Sequence, residues 1–555
     1  MAGQIKTTSL AAPGFYGLNT QESGVTLDSG FALVAINCVI DKYGRLGARK
    51  GWSMVTTNNG SLSDTDTIDS IHEVKEPDGN ISYICSGGNK FYSGTSTLTE
   101  IAVKQADQNT NLSITFTGSR WQFASINDGV AGNAKNHVLC GQMGNPLMVY
   151  RKSTSGASLG TYIIQRVGDH GLLPTGYTAP SFDPDCVLSA YGRIWVARLT
   201  GDKHTVYYSQ SLDGSDFQGA GSGLLNISAF VGNNDEIVGL AAHNGFLIIF
   251  CRNNIVVYAS ADDPSNLTIQ DIIVGVGCVA RDSIQNTGTD VVFLSQSGVR
   301  SLTRIIQEKS MPMRELSLNI RDDLTNWIEG ESSTNIRSAY YEREAIYLLT
   351  LPTLKQIVCF DTRTMLPTGA SRTTMWDNLN FKSFCSTTDR KLFVGVAGGI
   401  AQYGGYSDNG SGYRMQYYTN NFDLGLPTQL KFIKDIEITA IGGDGQNFVV
   451  KYAYDYSSVF NSRTAVLSTG SKSWEYTASV TPIGEDGSEY SDPSNPTTPV
   501  GNNNAEYSGG VVIDNVRVHA SGSGSIMQVG IEADINGNAL SIQKISLYLK
   551  TGRIF

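Results

Sequence analysis

Residues 245–260 read GFLIIFCRNNIVVYAS, two apolar runs on either side of a short polar segment. The runs are rich in Ile, Val and Phe, which favour strands, and Arg-Asn-Asn between them suits a tight turn. The stretch therefore predicts two adjacent strands joined by a hairpin turn.

The same pattern of paired strands, Gly/Asn/Asp turns and aromatic residues near strand ends recurs between about residues 69 and 405. Further examples are TVYYSQSLDGSDF at 205–217, DVVFLSQSGVRSL at 290–302, REAIYLLTLPTLKQIVCFDT at 343–362 and KLFVGVAGGIAQY at 391–403. Such repetition is typical of propeller blades. Because the repeat has no fixed period, an array of β-sandwiches remains an alternative.

Composition supports an all-β fold. The chain has 555 residues, of which 60 are glycine, and only 17% are charged. This balance is typical of many short strands joined by tight turns, and the length favours two or more domains. The eight cysteines are spaced singly within mostly apolar runs, so we expect free, buried thiols.

We predict an irregular β-propeller body over residues 69–410, preceded by an N-terminal segment, 1–68, that leads into it. Residues 411–555 have longer alternating strands and predict an attached C-terminal β platform or sandwich domain. Within it, the polar stretch 486–510 is expected to be mobile because it buries little apolar surface.

One segment departs from the β pattern. In RELSLNIRDDLTNWIEG, residues 314–330, apolar side chains recur at steps of three and four, as on one face of a helix. The segment predicts a short amphipathic helix packed against a sheet, with its apolar face formed by Leu316, Ile320, Leu324, Trp327 and Ile328.

The formal charge of −10 argues against a chain whose main task is tight binding to a nucleic-acid backbone. The first residues lack the apolar core of a signal peptide, and no window has 18 apolar residues. We therefore expect no membrane-spanning segment and synthesis in a cytoplasm.

No motif predicts catalysis, a cofactor or a metal. HExxH and CxxC are absent, and the calcium-loop fragments DKYG at 41–44 and DINGN at 534–538 lack the remaining ligands. SQSLDGSDF at 209–217 approaches the Asp-box turn of sialidase propellers. That turn is a folding element, in which we expect Asp213 to accept backbone hydrogen bonds and Gly214 to take an unusual φ.

Residues 37–52, NCVIDKYGRLGARKGW, place four cations among three glycines. A basic loop that binds phosphate and a hairpin with a charged rim are both possible, and the glycines and the following Trp52 favour the hairpin. A basic rim on an acidic chain suits an acidic partner surface, including another copy of the chain. The cations are Lys42, Arg45, Arg49 and Lys50.

This stretch resembles the N-terminal signature of the tail nozzle proteins of short-tailed bacteriophages, the tail tubular protein B family. Asn37, Gly44, Arg49 and Gly51 carry the resemblance, with Lys50 as an extra residue before the last glycine. Other features follow in the same order: GFLIIFCRNNIVVY, FLSQSGVRSL before the helix, IVCFDTR ahead of Trp376, and GGIAQYGGYSDNG before the C-terminal domain.

The resemblance implies a β-propeller with a β platform and a homohexameric ring in the virion tail, assembled in the host cytoplasm. The ring would form the distal DNA channel, with an adaptor protein above it and tail fibre or spike and needle proteins as neighbours. It implies no enzyme activity. Double-stranded DNA would pass without tight binding. Six copies would carry a charge of roughly −60, so we expect an acidic or neutral lumen, with Lys42, Arg45, Arg49 and Lys50 at subunit or adaptor contacts.

Two other functions stay open. A propeller glycan hydrolase, such as a tail depolymerase, would need two carboxylates about 5 to 10 Å apart in a pocket. A host-receptor binding module would need exposed loops at one end of the molecule.

Overall fold

The computed structural model describes residues 5–58, 60, 62–76, 78–127, 136–232, 234–302, 315–443, 446–467 and 513–554. The chain forms two compact units. The terminal unit consists of residues 1–52, 372–376 and 404–555, and the propeller unit consists of residues 53–371 and 377–403.

The chain begins with short strands that serve different sheets. They are β1 (Lys6–Ala11), β2 (Gly17–Leu18), β3 (Phe31–Ile36), β4 (Cys38–Ile40), β5 (Leu46–Ala48), β6 (Trp52–Met54) and β7 (Thr57–Asn58).

The propeller unit continues as seven antiparallel sheets, one after another along the chain. The first four blades are β8 (Ile68–Lys75), β9 (Ile81–Gly87), β10 (Lys90–Gly94) and β11 (Thr97–Glu100); β12 (Gln122–Asn127), β13 (Asn136–Gln142), β14 (Asn145–Lys152) and β15 (Tyr162–Arg166); β16 (Cys186–Ala190), β17 (Arg193–Ala197), β18 (Thr205–Tyr208) and β19 (Gly223–Asn226); and β20 (Ile237–His243), β21 (Phe246–Cys251), β22 (Asn254–Ala259) and β23 (Thr268–Val274).

The last three blades each take three strands from this later part of the chain. They are β24 (Gln285–Asn286), β25 (Val291–Ser295) and β26 (Gly298–Ser301); β27 (Arg337–Tyr341), β28 (Ile346–Leu351) and β29 (Gln356–Met365); and, after β30 (Ser371–Trp376), β31 (Ser383–Ser386), β32 (Leu392–Val396) and β33 (Gly399–Tyr403).

These sheets close into a ring, so the predicted irregular β-propeller is confirmed. The first strand of each blade contacts the first strand of the next, and β31 of the last blade contacts β8 of the first. In the fifth blade, the 3-10 turn Arg281–Ser283 makes these contacts with β20 and β27. Strand β6 adds the outer strand of the seventh blade, beside β33, and β7 pairs with β11 of the first. The early chain therefore joins the last blade to the first.

The core lies between the blades because each sheet packs both faces against its neighbours. Five apolar clusters are shared by successive sheets, from the seventh and first blades round to the fourth and fifth. For example, Trp195 of the third blade packs with Ile249 of the fourth. Strands buried on both faces explain why GFLIIFC has no polar alternation.

Helices are few and short among the described residues: α1 (Val167–His170), α2 (Ser228–Val231) and α3 (Arg321–Glu329), with 3-10 turns at Gly156–Ser158, Pro264–Asn266, Arg281–Ser283 and Leu318–Ile320. The predicted amphipathic helix is α3, shorter than residues 314–330 because a 3-10 turn precedes it. Leu316, Ile320 and Leu324 are buried as expected, whereas Trp327 and Ile328 are half-buried. None of these helices has the length and apolar character that crossing a membrane requires.

The SQSLDGSDF turn differs in one detail from the expectation. Asp213 does accept a backbone hydrogen bond, from the Ser215 N–H at 2.9 Å. The positive φ belongs to Leu212, at +60°, and not to Gly214. Gly214 is required by packing instead, since a Cβ there would lie 2.8 Å from Cγ2 of Ile126.

The terminal unit contains two sheets. Its later strands are β34 (Tyr413–Thr419), β35 (Gln429–Gly442), β36 (Asn447–Tyr454), β37 (Asn461–Val466), β38 (Ile513–His519), β39 (Met527–Ile535) and β40 (Leu540–Ile554). One sheet has the order β38-β35-β40-β5-β4, with β1 also paired to β40, and the other runs β30-β2-β3-β34-β39-β36-β37.

The N-terminal segment belongs with the C-terminal strands. Strand β1 pairs antiparallel with β40, from Lys6 opposite Leu549 to Ala11 opposite Lys544, and β3 pairs with β34. The predicted boundary at residue 68 therefore shifts to residue 52, because residues 1–52 fold in the terminal unit. The predicted mobile stretch 486–510 lies outside the described residues.

Candidate functional site

The predicted hairpin at residues 37–52 is present. Strands β4 and β5 pair antiparallel, and the Asp41 carboxylate accepts the N–H groups of Tyr43 and Arg45, which fixes the turn between them. Gly44 has φ +71°, and a Cβ there would lie 2.6 Å from Pro13. DKYG is thus a turn, and among the described residues no group of three or more His, Cys, Asp or Glu is placed to hold a metal.

Arg49 is inside the terminal unit and not on its surface. Its side chain is 1% exposed and forms a bidentate pair with Asp408, Nη1–Oδ1 2.8 Å and Nη2–Oδ2 2.7 Å. The guanidinium also donates to Oδ1 of Asn37 and lies 3.9 Å from the centre of the Tyr413 ring. A surface contact for Arg49, as predicted from its charge, is incompatible with this burial.

The other three cations are more accessible. Lys42 is exposed, with its ammonium 4.9 Å from the Tyr43 ring centre. Arg45 is paired with Asp41 at 2.6 Å and covers the same ring, and Lys50 is half-buried. A subunit or adaptor contact stays a prediction for Lys42, Arg45 and Lys50.

Asn37 and Gly51 hold the same region together. Asn37 has φ +55°, which asparagine tolerates better than most residues, and its amide donates to the Arg414 carbonyl at 2.8 Å. A Cβ on Gly51 would lie 2.0 Å from the Ser407 carbonyl oxygen. Asn37, Arg49 and Gly51 thus bind residues 37–51 to residues 405–414; we call this arrangement the N-terminal interlock.

A second group of charged residues lies in the propeller unit. Every blade places a charged residue within its first strand or shortly before it, where the first strands converge around the axis. In blade order these residues are Asp69, Arg120, Asp185, Glu236, Arg281 with Asp282, Arg337 and Lys382.

Five of these blades, the first, second, third, sixth and seventh, border a cavity of about 390 Å³, which we call the axial cavity. Its charged lining consists of Arg120, Arg198, Arg337 and Lys382 against Asp69 and Asp185. With four cations and two carboxylates, the lining has a formal excess of two positive charges. Glu236 does not line it but pairs with Arg198 at 3.4 Å.

Asp185 is enclosed by arginines. Its carboxylate is 2.8 Å from Arg281 Nη1, 2.9 Å from Arg198 Nη1 and 3.8 Å from Arg120 Nη1. Burial alone would raise the pKa of Asp185, but Arg281, Arg120 and Arg198 outweigh it and lower the pKa. The carboxylate therefore stays ionised as an internal counter-ion.

Asp282 has a similar role from the 3-10 turn of the fifth blade. It accepts from Nε of Arg120 at 2.8 Å and from Nε of Arg281 at 2.7 Å, and it lies 3.4 Å from Nη1 of Arg337. Burial opposes ionisation, yet these arginines hold the pKa of Asp282 far below its usual range. Arg337 is itself so enclosed that desolvation lowers its pKa to about 10.

Asp69 and Lys382 are the least engaged charges of the lining. Asp69 accepts a hydrogen bond from the Thr67 hydroxyl at 2.8 Å, and burial raises its pKa. In the part of the chain that the structure describes, neither Asp69 nor the Lys382 ammonium has an oppositely charged group within 4.0 Å. Over a longer distance, the charges of Arg337 and Lys382 act on Asp69 and offset part of the effect of burial on its pKa.

The axial cavity was not predicted from the sequence. Its charged residues are separated by roughly 40 to 50 positions and converge only when the ring closes. The available signal was a charge directly before an apolar strand, as in PDCVLSA at 184–190 and NDEIVGLAA at 234–242.

No family model matches the chain, and no curated protein matches it. Similar solved structures include the extracellular domain of a one component system from B. thetaiotaomicron (TM-score 0.36, 10% identity, 75% of this chain and 48% of that one) and the Pan2 WD40 domain of Neurospora crassa (0.32, 10%, 68% and 97%). Another is the exo-beta-1,3-galactanase of Phanerochaete chrysosporium (0.24, 9%, 89% and 100%). The chain thus spans about half the length of the first, and these weak likenesses carry no functional conclusion.

Proposed function

We propose that the protein is a structural virion component, the tail nozzle subunit of a short-tailed bacteriophage. Six copies would form a ring at the distal end of the DNA channel, retain the packaged genome and conduct it during ejection. An adaptor protein would lie above the ring, and fibre or spike and needle proteins would be its neighbours.

The N-terminal interlock is the observation that carries this proposal. Asn37, Gly44, Arg49 and Gly51 carry the resemblance to nozzle proteins. Three of them, Asn37, Arg49 and Gly51, form the interlock, and Gly44 packs its turn against Pro13. Three residues that serve one local structure support a shared fold of the terminal unit more strongly than scattered matches would.

The burial and ion pairs of Asp185 support a function in which this carboxylate is not catalytic. A general base or a nucleophile must be free to approach a substrate, whereas this carboxylate is 4% exposed and has three guanidinium groups around it. A conduit needs a stiff wall and no reacting group.

The decisive experiment is native mass spectrometry of the purified chain, followed by electron microscopy. We expect a particle near six times 59.8 kDa with six-fold symmetry and an axial hole. A monomer at every concentration, or a ring of different order, contradicts the proposal.

A second candidate function is glycan hydrolysis in the axial cavity. Asp69 lines this cavity and burial raises its pKa, as burial raises that of the general acid in glycosidases. Incubation with bacterial surface polysaccharide tests it. Sugar release that Asp69→Asn abolishes supports the hydrolase, and the mass of the assembly is unaffected by that variant.

A further inference from the structure

The axial cavity holds more positive charge than its own carboxylates neutralise. Charges of one sign that are removed from water destabilise a fold unless other groups compensate them. Here Asp185, Asp282 and Glu236 compensate Arg281 and parts of Arg120, Arg198 and Arg337. The remaining excess is at the surface of the cavity itself.

Two donors of the lining lack an acceptor among the described residues. The Lys382 side chain is half-buried and has no hydrogen bond or ion pair there, and Nε of Arg198 is buried without an acceptor. Arg337 uses Nη1 for the carbonyls of Thr334 and Ile336. Guanidinium and ammonium groups converging on one space are the usual partners of phosphate oxygens.

We propose that the axial cavity binds a small oxyanion of the phosphate type, with Lys382, Arg337 and Arg198 as its main ligands. The lining alone has four cations and two carboxylates, and with Arg281, Asp282 and Glu236 the cluster has five cations and four carboxylates, so an anion offsets a remaining positive charge. The volume of about 390 Å³ is within the range of small-molecule pockets, so a phosphate with a small organic group also fits. This inference goes beyond the proposed nozzle function and does not depend on it.

Anion binding in the axial cavity also predicts an effect of opposite sign at Asp69. Its carboxylate lies in the same lining and repels an anion when ionised. Replacing it with asparagine removes that charge with little change of shape, so anion binding should become tighter. A purely structural ion-pair cluster has no reason to respond in this way.

The test is calorimetric titration of the full-length protein with inorganic phosphate at low ionic strength, where screening is weakest. We expect saturable binding, one ion per chain. Lys382→Gln should weaken it about tenfold or more, as for loss of a charge-assisted hydrogen bond, and Asp69→Asn should strengthen it several-fold. A parallel titration with glucose 6-phosphate distinguishes free phosphate from a phosphate ester as the preferred ligand.

Lys203→Gln is the matched control, because Lys203 pairs with Glu236 at 2.8 Å and does not line the cavity. Its binding should equal that of the unmodified chain, and thermal unfolding verifies that each variant is folded. The proposal is overturned if neither ligand binds saturably, if Lys382→Gln binds as tightly as the unmodified chain, or if both lysine variants weaken binding equally. None of these results bears on ring formation, which native mass spectrometry measures separately.

Discussion

At the scale of single residues, the two arginines of the N-terminal hairpin have very different surroundings. Arg49 is buried with a bidentate partner and an aromatic face, whereas Arg45 pairs with Asp41 near the surface. Removing one member of a buried pair leaves the other charge without compensation, which costs far more than losing an exposed pair. The same substitution should therefore have unequal effects at the two positions.

We expect Arg49→Ala to lower the free energy of unfolding of the terminal unit by about 3 to 5 kcal/mol. Arg45→Ala, the matched control in the same hairpin, should lower it by about 1 kcal/mol or less. Urea unfolding followed by tryptophan fluorescence measures both. Equal losses of unfolding free energy in the two variants would show that the buried Arg49–Asp408 pair stabilises the fold no more than the Arg45–Asp41 pair does.

The sequence predicted the hairpin but not the burial of Arg49. Glycine spacing and the apolar run CVI are local signals, so β4, the turn and β5 could be inferred. Asp408 is 359 positions away from Arg49, and no local pattern indicates that the two meet. The charges of the axial cavity were missed for the same reason.

At the scale of elements, β34, β39 and β36 share a charged cluster centred on Glu532. Lys451 lies 2.8 Å from the Glu532 carboxylate, and Arg414 and Tyr418 also donate to it. Burial alone would raise the pKa of Glu532, but the hydrogen bonds from Lys451, Tyr418 and Arg414 outweigh it and lower the pKa to about 2. The carboxylate thus links the central strands of this sheet.

This cluster predicts acid sensitivity. The pKa of Glu532 in the folded protein is below the ordinary glutamate value of 4.5, so the stabilisation is fully present above about pH 4.5 and is lost as pH falls toward 2. Glu532→Gln should reduce stability at pH 7 by up to about 3 kcal/mol and flatten its pH dependence between those limits. Urea unfolding over a pH series measures this.

Asp534→Asn is the control for the acid prediction. Asp534 lies near the same Arg414, at 3.2 Å, but its side chain is 77% exposed, so solvent screens the pair. We expect its pH profile to follow that of the unmodified chain. An unchanged profile in Glu532→Gln would mean that other carboxylates control acid unfolding.

The elements themselves were predictable where their partners are close in sequence. Blade hairpins such as β21 and β22 follow from alternating apolar runs and turns. The pairing of β1 with β40 could not be predicted in this way, because no local sequence pattern indicates contact between strands more than 500 residues apart. Because of such long-range pairings, residues 1–52 belong to the terminal unit, and the propeller unit begins at residue 53 and not at the predicted residue 69.

At the scale of the whole molecule, assembly is the property that the proposed function requires. Lys42 is exposed on the hairpin of the terminal unit and has no ion pair among the described residues. If the hairpin meets an acidic surface of a neighbouring copy, reversing this charge turns attraction into repulsion. Lys42→Glu should then reduce the hexamer fraction in native mass spectrometry by about tenfold at a fixed protein concentration.

Lys434→Glu is the matched control, since Lys434 is an exposed lysine of the same unit on β35. Its hexamer fraction should be unchanged. Equal disruption by both variants would point to overall charge and not to the hairpin, and no disruption by either would remove Lys42 from the interface.

The pairing of β1 with β40 also has a consequence during synthesis. Ala11 leaves the ribosome 533 positions before its partner Lys544, a delay of about half a minute to two minutes at usual bacterial elongation speeds. Throughout that interval the edge of the first strand is available to other nascent chains. We therefore expect holdase chaperones to matter more for the yield of this protein in cells than for its refolding at high dilution.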